Sequence, residues 1–102
     1  MKNKIITDEE KLRRLKIIAL DLMKEYDLIN NGWKFEYSDA LRFFGLCNYT
    51  TKTISLNKNL VLLNNEEHSI NTIKHEIAHA LTKGHHHDKT WRKMALSIGC
   101  NG

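Results

Sequence analysis

The five residues His75-Glu76-Ile77-Ala78-His79 constrain this chain more than any other stretch. They lie in a run where Ile70, Ile73, Ile77, Ala80 and Leu81 recur at three- and four-residue spacing. That is the period of an amphipathic helix. Residues four apart stand one above the other on a helix, so the imidazoles of His75 and His79 reach toward one point. Glu76 is turned by about 100° from His75 and stands beside the pair. Asn64 and Asn65 offer caps for the start of this helix, and Gly84 breaks it.

Two imidazoles at that spacing, with a glutamate between them, form the H-E-x-x-H pattern of a zinc site. A catalytic zinc site takes three protein ligands and keeps one position open. The chain leaves the helix at Gly84, and His85, His86 and His87 follow directly. This supplies a third ligand close to the pair, although spacing alone does not say which histidine serves. Glu76 is then the expected general base, drawing a proton from a water whose pKa the metal lowers. The bland alternative is a histidine tract that binds metal without specificity.

The flanking sequence supplies a scaffold. Thr7-Asp8-Glu9-Glu10 reads as a capping box. Leu12, Leu15, Ala19, Leu22, Tyr26 and Ile29 form one apolar stripe of a long helix that Asn30-Asn31-Gly32 ends. Lys11, Arg13, Arg14, Lys16 and Lys24 lie mostly off the stripe, as a solvated face or a strip for nucleic-acid phosphates. Trp33 to Tyr37 alternates like a half-buried strand. A second extended stretch surrounds Gly45-Leu46-Cys47, Thr50-Thr51-Lys52 is a turn, and Thr53 to Leu56 is a third strand. Asp88 or His87 caps a last helix, with Trp91, Ala95 and Ile98 inward and Gly99 stopping it. His68 is expected at the surface.

With 102 residues, one domain over 1–102 is expected. No apolar run approaches the roughly 20 residues of a membrane span. The basic opening Met1 to Ile6 has no signal-type apolar region, so a cytoplasmic location is expected. Cys47 and Cys100 read as buried free thiols, which suits that compartment. A net charge of +4 permits DNA as a partner without requiring it. Frequent lysine, asparagine and isoleucine point to an AT-rich bacterial or phage genome.

The chain resembles the SprT-like zinc peptidases, the family that includes the Spartan DNA–protein crosslink proteases. His75-Glu76-Ile77-Ala78-His79-Ala80-Leu81 and the later His87-Asp88-Lys89-Thr90-Trp91 carry the likeness. Gly45-Leu46-Cys47, Thr53 to Leu56 and Ile98-Gly99-Cys100 add to it. In that family the third ligand is a histidine four residues before an aromatic residue, which here selects His87 before Trp91. The resemblance implies an α+β minimal zincin-like domain. Its parts are an N-terminal helix, a short sheet, an active-site helix and a C-terminal helix, and the strand pieces themselves suggest that the sheet is small and mainly antiparallel. It implies peptide hydrolysis with Zn2+ on His75, His79 and His87 and with Glu76 as base. A protein or peptide substrate would lie along an exposed strand, for which Thr53 to Leu56 is the candidate edge.

Oxyanion stabilisation is open among the metal, His85, His86 and Tyr49. Asp88 either orients a ligand or caps the last helix. Trp91 is expected in the core beneath the metal loop. A competing reading is a DNA- or transcription-associated binding module with structural zinc. Such a site closes with a fourth protein ligand and has no use for Glu76. Another is a regulator-cleaving H-E-x-x-H peptidase, whose third ligand is usually a carboxylate. The His87-to-Trp91 spacing disfavours it.

Overall fold

The computed structural model describes residues 6–101, so residues 1–5 of the basic opening lie outside the described residues. Helix α1 spans Asp8–Glu25, and strands β1, β2 and β3 span Lys34–Ser38, Gly45–Asn48 and Thr53–Asn57. Helices α2 (Lys58–Leu63), α3 (Glu66–Leu81) and α4 (Lys89–Ser97) complete this α+β fold. None of the described helices is long and apolar enough to cross a membrane.

The capping box at α1 is present: Thr7 accepts from the Glu10 backbone, and Glu10 accepts from the Thr7 backbone. The helix ends earlier than its apolar stripe suggests. Asp27 takes φ 64, the Leu28 N–H reaches the Met23 carbonyl, and the Asp27 N–H reaches that of Lys24. This Schellman turn swings the chain into a short 3-10 segment, Ile29–Asn31, and buries Leu28. Lys11 and Arg14 each have a partner within the fold. The Lys11 ammonium donates to the Leu62 and Asn64 carbonyls at the end of α2, and Arg14 pairs with Glu66 at 2.7 Å.

The sheet has the order β1-β3-β2, with β1 parallel and β2 antiparallel to β3. It is therefore mixed, where the strand pattern led to the expectation of mainly antiparallel pairing. The tight turn from β2 returns β3 into the space between β1 and β2. Thr53 to Leu56 is thus the central strand, buried at every position, and cannot be the open edge. The edge on the side of the cleft described below is β2. Ile54 and Leu56 enter the core with Leu15, Met23, Ile73 and Ile77.

Helix α2 has no periodic signal in the sequence. Asn57 starts it by accepting from the Leu60 N–H, but six residues are too few to display a period. Asn65 caps α3 through the His68 N–H, and α3 buries Ser69, Ile73, Glu76, Ile77 and Ala78. Ile70, Ala80 and Leu81 are only partly buried. As expected, α4 turns Trp91 and Ala95 inward, and Ile98 follows them into the core.

Candidate metal centre

Helical spacing brings the imidazoles of His75 and His79 together, with ring centroids 5.0 Å apart. His87 arrives from the loop after α3. That loop turns at Gly84, φ 90, and His87 itself has a left-handed φ of 60. Such backbone is uncommon outside glycine and costs on the order of 1 kcal/mol. It aims the imidazole back over α3. The His87 Nε2 lies 3.0 Å from the His79 Nε2 and 3.1 Å from the His75 Nε2.

One ring nitrogen carries at most one proton, so His87 Nε2 cannot donate to both neighbours. The three nitrogens fit a shared cation better than a hydrogen-bond chain. A tetrahedral zinc with bonds of about 2.0–2.1 Å sets its ligand nitrogens about 3.3 Å apart, close to the observed spacing. The three histidines form a group able to hold a metal ion. Burial, followed by the neighbouring imidazoles, lowers the His79 pKa to about 4, and burial also lowers that of His75. Both rings are thereby kept neutral, the form that ligates.

Trp91 lies against all three rings, at centroid distances of 4.8 Å to His75, 5.2 Å to His79 and 4.6 Å to His87. It is buried, and its indole N–H has no hydrogen-bond partner among the described residues. Trp91 is thus a packed wall shared by the three imidazoles.

Asp88 resolves toward capping. One carboxylate oxygen accepts from the Trp91 N–H at 3.0 Å, and the other lies 2.7 Å from His85 Nδ1. These contacts, led by the Trp91 N–H, hold its carboxyl below the usual range. It engages the His85 imidazole and anchors the start of α4, next to His87.

Glu76 lies in the same open cleft, of about 540 Å³, which the three histidines, Cys47, Tyr49 and His86 also line. The residue is largely buried, while its carboxylate oxygens open into the cleft and accept no hydrogen bond from the described residues. Burial pushes its pKa up to about 7. The Tyr49 hydroxyl donates to the His79 carbonyl at 2.5 Å, so its proton is committed to the end of α3. Burial raises the Tyr49 pKa to about 12. His86 is exposed in the cleft.

Both cysteines are free thiols, but only Cys100 is buried. Cys47 is partly open because β2 is an edge strand, and burial, then the nearby Glu76, raises its pKa to about 12. The close packing of Gly45 against Glu76 gave no sequence signal beyond a glycine within a strand pattern.

A search of curated proteins returns no match to the chain. A family model described as the SprT-like family matches residues 19–102. That span holds all three strands, the helix with His75, Glu76 and His79, and the loop with His87. The chain belongs to the SprT-like family.

Proposed function

We propose that this protein is a zinc-dependent endopeptidase, with His75, His79 and His87 as metal ligands and Glu76 as general base. The carrying observation is Glu76: a largely buried residue whose carboxylate opens into one cleft with three converging imidazoles. Burial of the side chain raises its pKa and leaves it without a protein hydrogen bond among the described residues, an arrangement that a purely structural metal site has no use for. Zinc held by the three imidazoles supplies carbonyl polarisation and an acidified water, the chemistry of a three-ligand site.

The chain's own residues supply the rest. Glu76 takes the proton of the attacking water and passes it to the leaving amine. Burial alone places its pKa at about 7, and a cation in the cleft draws it back toward the ionised form that a base needs. His86, in the cleft and without a bond holding it elsewhere among the described residues, is the side chain assigned to help the oxyanion. An extended peptide pairs with the open edge of β2, replacing Thr53 to Leu56 in that role.

DNA-associated or DNA-crosslinked proteins are the proposed substrates and the cytoplasm the proposed compartment. The support is the net charge of +4 and the exposed cations Lys89, Arg92 and Lys93 on α4. The test compares wild type with Glu76→Ala on a basic DNA-binding protein, with and without single-stranded DNA. Wild type cleaves. Glu76→Ala keeps its zinc and loses cleavage by more than about 10²-fold. Equal cleavage by both proteins contradicts the reading.

A further inference from the structure

Gly45 opens β2 and packs against α3 beside the base. The register places it opposite Leu56, on the face of the sheet that meets α3. Its φ is not among the left-handed ones, so backbone conformation is not what requires glycine there. Space is. A Cβ at Gly45 would lie 2.8 Å from the Thr72 Cγ2, 3.1 Å from a Glu76 carboxylate oxygen and 3.2 Å from the Glu76 Cγ. Comfortable carbon contacts begin at about 3.5 Å. Thr72 is β-branched on a helix, and its hydroxyl donates to the His68 carbonyl, so it yields little. The longer side chain of Glu76 is the part free to turn.

We propose that Gly45 is a positioning residue for Glu76. The bare backbone of β2 is the wall against which the carboxylate rests, and any side chain there turns it away from the metal ligands. This deepens the peptidase reading and, for its kinetic arm, rests on it.

Thr72→Ser removes the methyl group that meets the new Cβ first. The double variant Gly45→Ala/Thr72→Ser therefore leaves the contact with Glu76 as the principal clash. Zinc per chain, crystal structures, kcat and KM are measured for wild type, Thr72→Ser and the double variant. In the double variant, one zinc per chain is retained, the three imidazoles superpose on wild type, and the Glu76 carboxylate is displaced. Its kcat falls by about 10²-fold, the effect of moving a reacting group by about 1 Å, while KM stays near wild type. An undisplaced carboxylate overturns the proposal, as does wild-type kcat. Loss of zinc also overturns it, because Gly45 would then serve general packing. If wild type cleaves no protein, the peptidase reading fails, and the position of the carboxylate still decides the role of Gly45.

Discussion

His75 and His79 owe their places to a regular helix, whereas His87 owes its place to a loop with two left-handed residues, Gly84 and His87 itself. The helical pair needs nothing but a four-residue step. The third imidazole needs a helix stop, a strained backbone and an anchor on each side: Tyr49 on the last turn of α3, Asp88 at the start of α4. The two halves meet on Trp91, which touches all three rings. A metal centre in so small a chain is therefore half periodic and half assembled, and the assembled half is where it should be easiest to break.

Trp91→Ala should have the largest effect, because it removes the surface common to both halves. A loss of about 3–5 kcal/mol is expected in denaturant unfolding of the zinc-loaded protein. A loss under about 1 kcal/mol would mean that the helix and the loop stand independently.

The helical half can be separated by pH in the metal-free protein. His79 has a folded pKa near 4, below its ordinary value of 6.5. Its contribution is whole above 6.5 and is lost as the pH falls through 4. Glu76 has a folded pKa near 7, above its ordinary 4.5. Its contribution is whole below 4.5 and is lost as the pH rises through 7. Glu76 opposes His79, and His75 with it, between 4.5 and 6.5, so wild-type Tm should fall only shallowly on acidification there. Glu76→Gln removes one side of the balance, and its Tm should drop steadily on acidification from 6.5 to 4. Parallel Tm profiles for the two proteins would contradict this.

The smallest effect is expected from Asp88→Ala, which removes a cap and should cost about 0.5–2 kcal/mol. Because Asp88 precedes α4 and follows His87, zinc affinity should weaken with it, whereas Asp88→Asn keeps the cap and most of the affinity. Equal affinities for wild type and Asp88→Ala would show that the loop is held by other contacts.

The same division explains what could be read from the sequence. The start of α1, the helix bearing His75, Glu76 and His79, and the inward face of α4 follow from capping residues and periods, which are local. The selection of His87 came from resemblance, because its left-handed φ is set by the loop as a whole. The central place of β3 depends on how a hairpin folds back beside β1, and three short strands carry no signal for that order. The end of α1 at Tyr26 turns on an aspartate adopting a conformation usually left to glycine. The contact between Gly45 and Glu76 joins residues on separate elements and exists only once the sheet has packed on α3.

Zinc binding by His87→Ala, measured by competition with a chelator beside wild type, His85→Ala and His86→Ala, bears most directly on the convergence of three imidazoles on one ion. Wild type should hold about one zinc per chain. The His87 variant should lose more affinity than the roughly 10–100-fold typical of a residue that only supports a ligand. His85→Ala and His86→Ala should retain the metal. Wild-type affinity in His87→Ala, or loss of zinc in His85→Ala alone, would contradict the assignment of the third ligand.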